Sequence, residues 1–196
     1  MSISLQALPR NTNYSMRLIS AANTLTPAFG GSRQRIGRKG SHFALDVQVS
    51  ALPQSQCGMA LIADLIQGET QPIVLPIPEG RAETDYGAPK VVGAGHAGTA
   101  LPVDGLLANQ AVPKGKLLSI IMNDQRFVHM VTASVTANSL GAVTLPIWPM
   151  LRRPPPDHAV VELAVPKIEG FIGAGQEWSI SRLKSVGAAF TIEERE

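Results

Sequence analysis

Apolar and polar residues alternate most cleanly along Phe43-Ala44-Leu45-Asp46-Val47-Gln48-Val49-Ser50. Phe43, Leu45, Val47 and Val49 face one way and Asp46, Gln48 and Ser50 the other, which predicts a half-buried strand. Tyr14 to Ile19 alternates similarly, and the turn-rich Pro27 to Gly40 stretch separates the two, so a β-ribbon or meander opens the chain. After Pro53 and Ser55 the period changes. Met59, Ile62 and Ile66, and likewise Cys57, Leu61 and Leu65, recur at helical spacing, which predicts one helix over about 53–67, closed near Gly68. Pro72, Pro76 and Pro78 then limit Ile73 to Ile77 to a short extended piece suited to a sheet edge.

Further strands are expected at Leu117 to Met122 and Arg126 to Val135, flanking Asn123-Asp124-Gln125 as a hairpin. Ala142 to Trp148 and Ala159 to Val165 extend the series, with the stiff Arg152-Arg153-Pro154-Pro155-Pro156 linker between them. Trp178 and Ile180, then Phe190 and Ile192, predict a closing antiparallel pair joined near Gly187 or before it. The expected fold is mainly β, sandwich- or barrel-like with one helix: a discontinuous β domain (1–85 plus 154–196) interrupted by a small β-barrel-like insertion (86–153) for which an OB-like barrel is one form.

Composition narrows the class. Eighteen Gly and 15 Pro exclude an all-helical bundle. With 44% hydrophobic and 16% charged residues and a net charge of +2, the chain is neither a disordered polyelectrolyte nor a strongly basic nucleic-acid binder. Cys57 is the single cysteine, so no intrachain disulfide is available. The start, Met1 to Leu5, lacks a basic region, and Gln6 and Pro9 interrupt its apolar run, so a secretory signal is not expected. Nor is membrane insertion, because no stretch approaches the roughly 20 apolar residues of a spanning helix.

Several motifs invite a chemical reading. Gly93-Ala94-Gly95-His96-Ala97-Gly98 matches a dinucleotide-binding glycine pattern, but Pro102 and Gly105 forbid the helix that pattern needs, leaving a flexible Gly/Ala loop. Ile36-Gly37-Arg38-Lys39-Gly40 resembles a backbone-clamping GxxG loop, yet it runs directly into the Phe43 strand instead of joining two helices. Arg33, Arg35, Arg38 and Lys39 place four cations within seven residues. They suit an inter-subunit or phosphate contact, with a solvated turn as the plainer alternative. His42, His96, His129 and His158 are scattered without metal-ligand spacing, and His129 between apolar neighbours reads as a core-rim histidine. Nucleophile-elbow, HExxH and Walker patterns are missing, so no catalytic, cofactor or metal residue is assigned, and a non-enzymatic protein is expected.

Three stretches resemble a family of roughly 200-residue distal tail or tail-tip proteins of long-tailed bacteriophages. Val91 to Leu101, with Gly93, Gly95 and Gly98, followed by Val103-Asp104-Gly105, is similar to that family's glycine-rich lead into an inserted domain. Ala142 to Arg152, with Trp148, Pro149 and Arg152, looks like its strand and P-x-L-R exit. Gly170-Phe171-Ile172, Glu177-Trp178-Ser179-Ile180 and Gly187 to Glu193 around Phe190 resemble its closing strands. These matches cover about half the chain and concern structural glycines, prolines and aromatics, so they speak to fold more than chemistry.

The resemblance implies a virion structural protein at the distal end of the tail, assembled in the bacterial host cytoplasm. It implies a ring of copies, a hexamer, that joins the tail tube protein to the tip or hub proteins and leaves a channel for DNA as transient cargo. The Tyr14 and Phe43 strands and the Thr24 to Gly40 connection between them are the candidate ribbon that seals such a ring. Two other readings stand beside it: a nucleic-acid-binding OB-like module using the Arg33 to Lys39 cluster, and a host-glycan-binding insertion using Tyr86 and Trp148.

Overall fold

The computed structural model describes residues 2–5, 8–9, 11–53, 57–80, 84–173, 177–180 and 185–195. The first strands are β1 (Ile3–Ser4), β2 (Asn13–Ile19), β3 (Asn23–Leu25), β4 (Gln34–Ile36) and β5 (His42–Pro53), followed by helix α1 (Met59–Gln67) and β6 (Ile73–Pro76). Next come β7 (Lys90–Val91), β8 (Gly98–Asp104), β9 (Ala111–Val112), β10 (Leu117–Met122), β11 (Gln125–Val131), β12 (Val135–Thr136), β13 (Val143–Leu151) and β14 (Val161–Glu162). The chain closes with β15 (Lys167–Ile172), β16 (Glu177–Ile180) and β17 (Ser185–Glu194). The fold is therefore mainly β, with one helix among the described residues.

Two sheets carry the architecture. The first has the order β1-β6-β15-β17-β5-β2, with β16 also paired to β17. The second runs β14-β10-β11-β13-β8-β7 and nearly closes on itself, because Lys90 of β7 bridges back to Val160 beside β14. Its run β8-β13-β11-β10 is a Greek-key order, as in OB barrels, but six strand segments take part where an OB barrel has five. This barrel is inserted between β6 and β15 of the first sheet.

The alternation read from the sequence decides which face each strand buries. Phe43, Leu45, Val47 and Val49 turn inward with Phe190 and Ile192 of β17 and are covered by Leu61 and Leu65 of α1. Leu117 and Val128 from the barrel join this same core, so the two sheets pack against each other. A second core fills the barrel itself, with Leu101, Leu118, Ile120, Phe127, Leu145, Ile147 and Leu163 almost fully buried. Burying each large aliphatic side chain stabilises by roughly 1.5–3 kcal/mol.

The structure corrects three expectations. Helix α1 begins at Met59, not near 53, because β5 continues to Pro53; only Leu61, Ile62 and Leu65 are buried while Met59 and Ile66 stay exposed. At the helix C-cap, Gly68 is closely packed: an added Cβ would lie 2.5 Å from Ile73 Cδ1. The Ile73 segment is an interior strand rather than an edge, since β1 pairs with Ile73 and Val74 and stops before Pro76, which has no N–H to donate. The barrel does not finish at 153, because Val161 pairs with Ile120 and Leu163 packs in its core. Gly187 itself lies inside β17 opposite Ser179, so the join falls before it, as one of the two expected positions allowed, and residues 181–184 lie outside the described residues.

At Asn123-Asp124 the expected hairpin is present in a two-residue form, with φ of 49° and 57°. Two positive φ values match the type I′ turn that accommodates the natural twist of a strand pair.

Candidate functional site

Between β2 and β5 the chain leaves the sheet as a small arm. Its strands pair Asn23 with Ile36, Thr24 with Arg35 and Leu25 with Gln34, and all six residues are exposed. Directly paired residues share a face. One face of the ribbon therefore carries Leu25 and Ile36, and the other carries Thr24 and Arg35. The connection between them ends in Pro27-Ala28-Phe29-Gly30-Gly31, where Gly30 and Gly31 adopt φ of 84° and 130°. Phe29 stands at this tip with 103% relative exposure, an unusual place for an aromatic ring.

At the foot of the arm the chain returns to the body of the protein. Lys39 and Gly40 border a cavity of about 220 Å³ with Phe127, Arg152 and Arg153. Arg152 is held firmly there. Its side chain is 8% exposed, its Nη2 lies 3.1 Å from Glu194 Oε2, and its guanidinium stacks 4.9 Å from the centroid of the Phe127 ring. Burial pushes the Glu194 carboxyl up, opposed by the charge of Arg152 and by N–H groups donated from Phe43 and Val128.

Glu194 belongs to a wider joint between the barrel and the sheet. β11 pairs with β13 only at Met130 and Val131, so the amides of Arg126 and Val128 turn instead to carboxylates of the first sheet. Arg126 N–H donates to Glu169 Oε2 at 3.2 Å, and Val128 N–H donates to Glu194 Oε1. Arg126 also reaches Glu162 and Glu169. Burial pushes the Glu162 carboxyl up, but hydrogen bonds from Arg126, Ser119 and Lys167 prevail and hold it below the ordinary carboxylate range. Glu79 accepts from Leu117 N–H and pairs with Lys116. Removing one partner from such a buried pair is costly, so these groups act as a lock.

The residues singled out in the sequence fall in different parts of this arrangement. Arg33 and Arg35 belong to the arm, Lys39 sits at its foot, and all four cations including Arg38 are exposed. Gly93 and Gly95 in the β7–β8 connection and Gly98 at the start of β8 all take φ near 80°. That connection is pinned: Gly93 N–H donates to Asp157 Oδ1 at 2.7 Å, and His96 Nε2 lies 2.6 Å from the Val92 carbonyl. The bond from Gly93 also holds Asp157 below the usual range, with His158 adding to the effect. A strand succeeds these glycines where a dinucleotide site requires a helix.

Trp148 and Trp178 are partly exposed, whereas Phe190 is buried in the core of the first sheet. The Pro149 carbonyl accepts a hydrogen bond from His129 Nδ1 at 2.8 Å. His129 lies deeper than the core rim: it is 2% exposed and its pKa falls to about 4, chiefly through burial, with Arg152 adding to the depression. Sequence reasoning missed Glu169, Glu194, Arg126 and Glu79 altogether. Carboxylates that substitute for strand partners leave no periodic signal; the one available hint was Glu194 falling on the inward-facing register of Phe190 and Ile192.

No family model matches the chain, and no curated protein matches it. Among the described residues no group of three or more His, Cys, Asp or Glu side chains converges as a metal site, and no helix is long and apolar enough to cross a membrane.

Proposed function

We propose that this protein is a structural component of a long-tailed phage virion that assembles with copies of itself into a ring at the distal end of the tail tube. The observation that carries the self-assembly part is the arm. An exposed ribbon with Leu25 and Ile36 on one face and Phe29 at its tip leaves apolar surface in water, and burying one Phe is worth roughly 1.5–3 kcal/mol. A neighbouring copy that receives the arm recovers that energy, and head-to-tail contacts of this kind form a ring when the rotation between copies closes. The other support is β2, whose outer edge has no strand beside it among the described residues and is available for pairing.

The tail assignment itself rests on the resemblance of the glycine-rich lead, the P-x-L-R exit and the closing strands. In this reading the ring is a hexamer. Its neighbours are the tail tube protein and the tip or hub proteins, and DNA passes through without being held.

Negative-stain microscopy of the purified protein, and of tails from a phage that encodes it, tests the proposal. Rings in the first sample and the protein at the tube terminus in the second are expected. A protein that stays monomeric at high concentration and is absent from tails overturns it.

A further inference from the structure

We propose that the cavity at the foot of the arm binds a single oxyanion, either a free phosphate-type anion or one carboxylate side chain presented by a protein partner. Three cationic side chains, Lys39, Arg152 and Arg153, border one small space. Its volume of about 220 Å³ lies below the roughly 300–1,000 Å³ of small-molecule pockets and suits one compact charged group.

Local charge is not balanced. Arg152 is paired with Glu194, whose two oxygens are already shared with the backbone N–H groups of Phe43 and Val128. The next acid along the strand, Glu193, is turned to His42 at 3.0 Å. Lys39 and Arg153 form no ion pair among the described residues, so two positive charges remain uncompensated beside a half-enclosed space.

Part of the site is also preorganised. Stacking on Phe127 and the bond to Glu194 fix the Arg152 plane, so an anion meets a guanidinium that has already lost its rotamer freedom. Gly40, at φ 129°, carries the chain past the mouth in a conformation that favours glycine and adds no side chain there. Its carbonyl is occupied by His42 Nδ1 at 2.8 Å, which keeps that acceptor from repelling an anion.

The test uses two probes on the whole protein, sodium phosphate and an acetylated, amidated tetraglutamate peptide, each against sodium chloride at matched ionic strength. Calorimetry gives affinity for phosphate, and anisotropy of a labelled peptide gives affinity for the carboxylate form. Saturable phosphate binding supports the free anion, and saturable binding of the peptide alone supports a partner's side chain. In either case the exposed double variant K39Q/R153Q is expected to weaken binding at least tenfold, while circular dichroism and the melting temperature without anion stay unchanged. Arg152 is left in place because it also locks Glu194. Absence of saturable binding by both probes, or equal affinity in the double variant, overturns the proposal.

Discussion

The barrel and the open sheet solve the same problem in opposite ways. In the barrel, Lys90 reaches back to Val160, so the two ends of the strand order meet. The seven-stranded sheet instead ends at β2, and from that end the arm projects with its apolar residues uncovered. A closed barrel has little left to offer another chain through its backbone, whereas an open edge and an exposed ribbon are what assembly requires. On the proposed reading association belongs to the open half, and the joint of Glu169, Glu194, Arg126 and Arg152 ties the two halves together.

Substitutions in the two halves should separate them in graded steps. The largest effect is expected for Gly170→Ala, where an added Cβ would fall 1.8 Å from the Glu193 carbonyl oxygen. The clash is with backbone at the centre of the open sheet, so a loss of about 4 kcal/mol or more is expected in chemical denaturation. Wild-type-like stability would show that β15 and β17 separate easily. Arg152→Ala strikes the joint by leaving Glu194 buried without its cation, at a cost of about 3–5 kcal/mol. A loss under about 1 kcal/mol would mean that the joint is not ionic in substance.

His129 gives a pH-dependent cut through the barrel wall. Its folded pKa of about 4 lies below the ordinary histidine value of 6.5, so the native state favours the neutral ring. Its contribution is complete above pH 6.5 and is lost as pH falls through 4, amounting to about 3 kcal/mol by pH 4. Glu194, with its carboxyl pushed up, titrates with the opposite sign, so the informative quantity is the difference between wild type and His129→Gln. In urea melts the stability of the wild type minus that of the variant should fall by about that amount between pH 7 and pH 4. Parallel curves would remove His129 as the source.

Smaller still is Gly95→Ala, in the β7–β8 connection. Nothing lies within 4 Å of the added Cβ, and only the φ of 81° opposes it. A cost of about 1–2 kcal/mol is expected, well below that of Gly170.

Much of this fold is legible in the sequence where one physical signal dominates. The alternation in Phe43 to Ser50 marks the central strand and its inward face, and Asn123-Asp124 marks a tight hairpin. The Pro27 to Gly40 stretch announces a break between β2 and β5, though not that its apolar residues stay uncovered. Legibility fails where tertiary context overrides the local pattern. Met59 and Ile66 fit a helical stripe but lie outside the contact made by Leu61 and Leu65. The Arg152 to Pro156 segment has linker composition, yet the chain beyond it still belongs to the barrel because Val161 pairs with Ile120. The cavity at the foot of the arm is hidden for a simpler reason: Lys39 and Arg153 lie far apart along the chain, and only the packing of the barrel on the sheet unites them.

The arm tip is expected to matter least for stability and most for association. Phe29→Ser, fully exposed in the single chain, should change the unfolding free energy by no more than about 0.5 kcal/mol. Light scattering coupled to size exclusion, run on wild type and Phe29→Ser over a range of concentrations, is therefore the decisive measurement of arm-driven ring assembly. A closed multimer, with six copies expected, should form from the wild type, and the variant should shift markedly toward monomer while its circular dichroism spectrum stays unchanged. A wild type that remains monomeric throughout, or a variant that assembles as the wild type does, would contradict arm-driven assembly.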